Sequence, residues 1–246
     1  MKLNLANWIG RPATSKKLRR FSGALQQIFR RLLDQPVSGK EDAMRAAFRR
    51  ISSFGPAGDY VEFGVWRGRS FVLAWDYARR NELREMKFFA FDSFEGLSEP
   101  SSIESSKFTE GQFQFSQEAF ELAISAAGVD LSRVEVVPGF FRDSLSSETR
   151  ARLGIQSAAI VWIDCDLLEP SLDALEFVRP LLKNGTCICF DDWFSFSGHQ
   201  NAGEIAAVRE FLRRHPEVSL IEFKNFEPTG KIFLVQLDTE SLDKNC

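Results

Sequence analysis

Two short apolar runs that end in acidic residues place the strongest constraint on the fold of this 246-residue chain. One covers residues 158–166, AAIVWIDCD, and the other covers residues 186–193, TCICFDDW. Their continuous apolarity predicts strands that are buried on both faces. Residues 169–182 between them have helical periodicity, with Pro170 near the start and Gly185 just beyond the end. A right-handed crossover makes such strands parallel, so their acidic ends lie at the same edge of the sheet, where open α/β sheets bind ligands.

Four aspartates leave the predicted sheet at this edge: Asp164, Asp166, Asp191 and Asp192. Mg²⁺ and similar hard cations prefer carboxylate oxygens and keep coordination positions for water or substrate. We therefore predict a divalent-metal site formed by Asp164, Asp191 and Asp192. Two alternatives stay open, because the Asp166 side chain can face the start of the next helix and clustered aspartates can simply cap loops and helices.

A glycine-containing loop follows the predicted first strand, residues 59–64. The strand carries Glu62 and ends at Gly64, Gly68 follows, and the next helix begins near Ser70. This order is typical of a nucleotide-type cofactor loop, because glycine lets the backbone approach a ligand and N–H groups at a helix start bind anionic groups. The spacing is neither that of a dinucleotide fold nor that of a P-loop. We predict that these four residues belong to the cofactor site.

Two further strand ends supply candidate cofactor contacts. Asp92 and Ser93 follow the predicted second strand, where an acidic residue can accept hydrogen bonds from a ribose diol. Phe140 follows Gly139 after the predicted third strand, residues 134–138, and its ring can stack on an adenine. Packing of the same phenylalanine in the core remains an equal alternative.

Four segments, in order along the chain, resemble the macrocin O-methyltransferase (TylF-type) family. They are VEFGVWRG at 61–68, DSFEGL at 92–97, PGFFRDSL at 138–145, and DCDL at 164–167 followed by FDDW at 190–193. The resemblance implies a Rossmann-like class I methyltransferase with a mostly parallel, seven-stranded, doubly wound α/β sheet. It also implies that S-adenosylmethionine (SAM) and a divalent metal, usually Mg²⁺, serve to methylate a hydroxyl, often on a sugar of a natural product.

The resemblance also implies roles for individual residues. Three groups follow from matching positions: Glu62, Gly64 and Gly68 at the methionine end of SAM; Asp92 and Ser93 at the ribose; Asp164, Asp191 and Asp192 at the metal. The residue that matches Asp164 has also been considered as the proton acceptor.

This sequence departs from the family pattern at two places. Cys165 stands where relatives tend to have glycine, and residues 168–171, LEPS, replace a Tyr-Glu-Ser-Thr run. These changes bear on the identity of the acceptor more than on the chemistry, because the three acids that match the metal ligands remain.

His199 is a second candidate for catalysis. It lies in a loop that leaves the Asp191–Asp192 strand end, and therefore near the same edge of the sheet. A histidine there can act as a general base or contact the substrate. A solvated loop histidine is the open alternative.

Residues 1–57 are predicted to form a helical cap, and residues 58–246 the methyltransferase domain. The cap includes a basic amphipathic helix within residues 1–33, for which a solvated basic face, a lid, a homo-oligomer contact or membrane-surface association stay open. Residues 34–40 are predicted to form a hinge into a second helix from Glu41 to about Ser52. A net charge of −3 argues against a nucleic-acid partner. The sequence has no apolar run of membrane-spanning length and no signal-peptide pattern, so we expect a cytoplasmic protein without membrane insertion.

The predicted function is thus SAM-dependent and divalent-metal-dependent O-methylation of a small molecule, with a sugar hydroxyl as the expected acceptor. Two other functions stay open. A metal-dependent glycosyltransferase could use Asp164-Cys165-Asp166 as a D-x-D site, but Glu62 and the Asp191-Asp192 pair would then have no role. A relative that binds the cofactor without turnover is the other.

Overall fold

The computed structural model describes residues 38–238, which form a seven-stranded sheet of strand order β3-β2-β1-β4-β5-β7-β6. The strands are β1 (Asp59–Phe63), β2 (Phe88–Asp92), β3 (Val134–Pro138), β4 (Ala158–Ile163), β5 (Cys187–Phe190), β6 (Val218–Phe226) and β7 (Gly230–Leu237). Strands β1 to β5 pair in parallel, whereas β7 runs antiparallel to both β5 and β6. The predicted mostly parallel, doubly wound sheet is confirmed.

Seven α-helices connect and cover these strands within the described range. They are α1 (Ser38–Phe54), α2 (Arg69–Arg80), α3 (Gln117–Ala126), α4 (Phe141–Ser144), α5 (Ser147–Leu153), α6 (Leu168–Val178) and α7 (Gly203–Arg214). Helix α1 is longer at both ends than the predicted span from Glu41 to about Ser52. The predicted basic helix within residues 1–33 lies outside the described residues. No helix between residues 38 and 238 has both the length and the apolarity to cross a membrane.

The central strand β4 shows how the sheet divides the core into two layers. All six of its residues are buried, and successive side chains point to opposite faces. Ile160 and Trp162 pack in a cluster with apolar side chains of α1, α2 and α3. Val161 and Ile163 pack in a second cluster with α6 and α7. Because both faces are covered by helices, the carboxyl edge of the sheet is left for ligands.

Helix α1 is held against the sheet by its apolar face and by polar contacts. Met44 is fully buried in the same cluster as Trp162. Asp42 pairs with Lys224 of β6 at 2.7 Å, and the Tyr77 hydroxyl of α2 donates to Glu41 at 3.2 Å. The described part of the predicted cap therefore shares its core with the main sheet, while the domain boundary between residues 57 and 58 stays a prediction.

Candidate active site

A cleft of about 610 Å³ opens at the carboxyl edge of the sheet. This volume is in the range of small-molecule binding sites. The cleft brings together residues from the glycine loop, the ends of β2, β4 and β5, the segment after β3, and the starts of α1 and α6. Its lining includes Lys40, Gly64, Trp66, Asp92, Ser93, Phe140, Asp164, Asp166, Glu169, Asp173, Asp191 and Asp192.

The two glycines of the loop are required by close packing. Gly64 has a φ of 83°, and a Cβ atom there would lie 1.9 Å from the carbonyl oxygen of Asp164. Gly68 has a φ of 77°, and its Cβ would lie 2.8 Å from a side-chain carbon of Ile124 in α3. Gly64 lines the cleft, whereas Gly68 sets how closely α3 approaches the loop. The backbone of the loop therefore lies directly beside the end of β4.

Glu62 lies beneath the loop and lines neither the main cleft nor the smaller cavity next to it. Its carboxylate is fully buried and accepts hydrogen bonds from the hydroxyls of Tyr60, at 2.6 Å, and Ser70, at 2.5 Å. Burial raises the pKa of Glu62 to about 8, although the two hydroxyls oppose this shift. Ser70 lines the smaller cavity. Both residues thus join β1 to the start of α2, and their contact with a cofactor stays a prediction.

Asp92 and Ser93 line the cleft, and both also shape the loops around it. Asp92 accepts backbone hydrogen bonds from Val65 at 2.8 Å, Trp66 at 3.0 Å and Phe94 at 2.7 Å. Burial raises the pKa of Asp92 in spite of these three hydrogen bonds. The Ser93 hydroxyl donates to the Gly96 carbonyl at 2.7 Å. Both residues thus stabilise the loops, and ribose binding by either one would be an additional role.

Aromatic rings form part of the cleft wall. Phe140, at the start of α4, lines the cleft as the adenine-stacking prediction requires. Trp66 belongs to the glycine loop, and its ring centroid lies 5.5 Å from that of Phe113. Trp66 has a positive φ of 40°, which is unusual for a residue with a large side chain. The Asp92 hydrogen bond to its N–H helps to hold this conformation.

The predicted acidic cluster forms at the ends of β4 and β5. Carboxylate oxygens of Asp164, Asp166 and Asp192 lie within 4.8 Å of one another. Burial, followed by the charges of neighbouring aspartates, raises the pKa values of Asp166, Asp191 and Asp192. Like charges brought together in a buried site favour binding of a cation or a proton. The closest group of three carboxylates contains Asp166 instead of the predicted Asp191.

Lys40, at the start of α1, forms ion pairs with two of the four aspartates. Its ammonium group lies 2.6 Å from Asp191 Oδ2 and 3.1 Å from Asp164 Oδ2. Burial lowers the pKa of Lys40, but the charges of Asp164 and Asp191 outweigh this effect and raise the pKa well above its ordinary value. The other carboxylate oxygen of Asp191 is buried and has no hydrogen-bond partner among the described residues. The sequence analysis missed Lys40, because the residue lies in a segment read as a hinge.

Two buried glutamates support the acidic edge, and the sequence analysis identified neither. Glu104 accepts backbone hydrogen bonds from Leu168 at 2.7 Å, Gly203 at 3.0 Å and Ser101 at 3.1 Å. It thereby joins the loop after β2 to the starts of α6 and α7. Glu204 accepts the N–H of Asp192 at 3.0 Å. These contacts fix the backbone that carries the aspartates.

His199 does not line the cleft. It is exposed in the loop after β5, and its Nδ1 accepts the backbone N–H of Asn201 at 3.2 Å. This position gives no support to the prediction of a catalytic base. Asp164, in contrast, lines the cleft and is only partly buried.

The carboxylates fit a hard divalent cation. Three of them converge within 4.8 Å, and Asp191 adds an unpaired buried oxygen beside them. Oxygen ligands of this kind suit Mg²⁺ or Mn²⁺. The chemistry of the donor set is therefore consistent with the metal that the family resemblance implies. Binding by Asp164 and Asp191 requires the Lys40 ammonium group to move away from these two carboxylates.

The sheet topology, with antiparallel β7 and a cleft at the carboxyl edge beside a glycine loop, defines the class I methyltransferase fold. The chain belongs to the macrocin-O-methyltransferase (TylF) family, whose profile matches residues 38–216. This match favours methyl transfer over the glycosyl transfer considered for Asp164-Cys165-Asp166.

Individual relatives have low sequence identity to this chain. Over 159 residues, 62% of this chain and 59% of the relative, the sequence is 27% identical to the 8-demethyl-8-(2,3-dimethoxy-alpha-L-rhamnosyl)-tetracenomycin-C 4'-O-methyltransferase of Streptomyces olivaceus. The chain thus spans less than two thirds of that relative.

Two solved structures show the same fold. The O-methyltransferase NovP has a TM-score of 0.66 at 22% identity, covering 79% of this chain and 78% of its own. An O-methyltransferase from Bacillus cereus in complex with S-adenosylhomocysteine (SAH) has a TM-score of 0.53 at 17% identity, covering 95% and 94%.

Proposed function

We propose that this protein is a SAM-dependent O-methyltransferase that methylates a sugar hydroxyl of a glycosylated natural product. The observation that carries the proposal is the cleft in which the glycine loop and Asp92 lie beside the aspartates of β4 and β5. Family membership supports methyl transfer, and the rhamnosyl acceptor named for the Streptomyces relative supports a sugar. The acceptor class is our inference for this chain.

The lining of the cofactor half of the cleft supports SAM binding. SAM supplies an electrophilic methyl group on a sulfonium. We assign Gly64 and the loop backbone to the methionine end, Asp92 and Ser93 to the ribose, and Phe140 to the adenine. Glu62, Gly68 and Ser70 support this surface from beneath the loop. The protein thus contributes position and charge, while the cofactor contributes the reactive group.

The acidic half of the cleft suits activation of an acceptor hydroxyl. Asp164, Asp191 and Asp192 would hold a divalent cation, which lowers the pKa of a bound hydroxyl. Asp164 lines the cleft, and we assign to it the role of accepting the hydroxyl proton. The acceptor oxygen then bonds to the methyl carbon as the carbon–sulfur bond breaks, and SAH is released. Orientation of the hydroxyl toward the methyl group is the main contribution of the cleft.

The test is turnover by the full chain. The purified protein is incubated with SAM and a panel of glycosylated natural products that includes rhamnosides, with Mg²⁺ or with EDTA. Mass spectrometry should detect a product heavier by one methyl group together with SAH, and EDTA should suppress both. Calorimetry with SAH provides the control for cofactor binding. Failure to bind SAH would contradict the proposal, and binding of SAH without turnover of any acceptor would favour the non-catalytic alternative.

A further inference from the structure

We propose that Lys40 and the divalent cation compete for Asp164 and Asp191, so that the protein's own lysine occupies the metal site until a cation displaces it. The inference rests on the proposed metal-dependent function, and adds to it a residue that controls how tightly the metal binds. Lys40 comes from α1, outside the strand ends that carry the acids.

The contacts of Lys40 carry the first step. Its Nζ atom lies 2.6 Å from Asp191 Oδ2 and 3.1 Å from Asp164 Oδ2, and both aspartates are in the predicted metal-ligand set. A divalent cation bound by the same two carboxylates would lie within a few ångströms of the ammonium group. Two cations at such a distance in a partly buried site repel each other strongly. The ammonium group and the metal therefore exclude each other.

The second step concerns the way α1 presents the lysine. The Lys40 N–H donates to Glu227 at 3.1 Å, and the Asp42–Lys224 pair at 2.7 Å joins the next turn of α1 to β6. Met44 is buried in the core. These contacts do not involve Asp164 or Asp191, so the helix backbone can stay in place when the ammonium group leaves.

The third step is a destination for the displaced side chain. A smaller cavity of about 200 Å³ adjoins the cleft, and both Lys40 and Glu227 line it. The Lys40 side chain is already 24% exposed. Asp164 also lines this cavity, at the side shared with the cleft. A flexible four-carbon stem can therefore turn away from Asp191 toward Glu227 without unfolding α1.

Metal binding to four variants tests the inference. Mn²⁺ is titrated calorimetrically into the full-length wild type, Lys40→Met, Lys40→Arg and Lys224→Met. We expect about tenfold or greater tightening for Lys40→Met, because the competing charge is gone. Lys40→Arg keeps the charge and should bind Mn²⁺ about as weakly as the wild type. Lys224→Met is the matched control, since it removes an α1 ion pair away from the aspartates.

The outcomes separate this inference from the proposed function. Equal or weaker Mn²⁺ binding by Lys40→Met, in a protein that still binds SAH, would overturn competition and leave the metal site intact. If neither the wild type nor any variant binds Mn²⁺, both the inference and the metal dependence fail. The proposal of SAM binding is tested separately, by calorimetry with SAH.

Lysine reactivity provides a second, independent measurement. Wild-type protein is acetylated with a water-soluble active ester, with and without saturating Mg²⁺, and the labelling rates of Lys40 and Lys224 are followed by peptide mass spectrometry. Displacement by the metal should make Lys40 label several-fold faster, whereas Lys224 should not change. An unchanged or slower rate at Lys40, under conditions in which Mg²⁺ binds, would show that the ion pairs persist and would overturn the inference.

Discussion

Asp92 Oδ2 accepts the backbone N–H of Val65 at 2.8 Å and so joins the end of β2 to the glycine loop that follows β1. The same oxygen accepts the N–H of Trp66 at 3.0 Å, next to a tryptophan backbone with positive φ. One carboxylate thus sets the course of the loop and also lines the cleft. The proposed ribose contact of Asp92 therefore depends on a loop whose conformation Asp92 itself stabilises.

Replacement of Asp92 should therefore weaken cofactor binding. For Asp92→Ala we expect a loss of about 1 to 3 kcal/mol in SAH binding free energy, from the charged hydrogen bonds that disappear. Calorimetry with SAH measures it. Asp59→Ala is the matched control: Asp59 accepts the Lys87 N–H at 2.9 Å at the start of β1, and the cleft lies at the other end of that strand. Normal SAH affinity in Asp92→Ala would exclude Asp92 from the cofactor site.

The buried carboxyl of Glu62 should make stability depend on pH. Its pKa is raised from 4.5 in the unfolded chain to about 8 in the folded protein. The folded protein therefore holds the proton that the unfolded chain releases, so stability falls as pH rises between these two values, by at most about 1.4 kcal/mol per pH unit. Urea unfolding at a series of pH values should show this decline in the wild type and a smaller one in Glu62→Gln. Parallel curves for the two proteins would contradict the prediction.

The sequence predicts those parts of the site that depend on strand ends. Asp92, Asp164 and Asp191 each follow an apolar run, and parallel pairing brings the ends of β1, β2, β4 and β5 to one edge whatever the details of packing. The cleft and most of its lining follow from this rule. The strand-end rule does not predict which three aspartates lie closest together, because this depends on the directions of side chains beyond the strand ends. Asp166, with a φ of 59°, turns toward Asp164 and Asp192.

Residues that reach the site from other elements leave no local pattern. Lys40 precedes the first strand, and only the packing of α1 against the sheet brings it to Asp191. Glu104 lies in a polar loop without periodicity, and its partners Leu168 and Gly203 are far along the chain. Long-range contacts of single polar side chains are settled by tertiary packing, which one sequence does not encode in any short motif.

Glu104 should support both stability and turnover. For Glu104→Ala we expect a loss on the order of 3 kcal/mol in unfolding free energy, because three backbone N–H groups lose their charged acceptor. Methylation should slow as well, since the starts of α6 and α7 lose their common contact. Urea unfolding and steady-state kinetics measure the two effects. Glu110→Ala, an exposed position in the same loop, should change neither. A stable and fully active Glu104→Ala protein would show that the three hydrogen bonds are dispensable.

The four aspartates should differ in their importance for the metal. Asp191→Asn should abolish metal-stimulated methylation while SAH affinity stays within about a few-fold, because Asp191 is a predicted metal ligand and is not among the residues assigned to the cofactor. Asp166 is outside the predicted ligand set, although it lies in the closest group of three carboxylates, and burial together with the Asp192 charge raises its pKa.

Asp166→Asn keeps the size of the side chain and leaves the three predicted ligands in place, so it should retain most Mn²⁺ affinity and activity. Titration of Mn²⁺ into both variants, with turnover measured in parallel, distinguishes the two possible ligand sets. If Asp166→Asn loses the metal and Asp191→Asn keeps it, the cation binds the group Asp164, Asp166 and Asp192, and Asp191 serves only as the partner of Lys40.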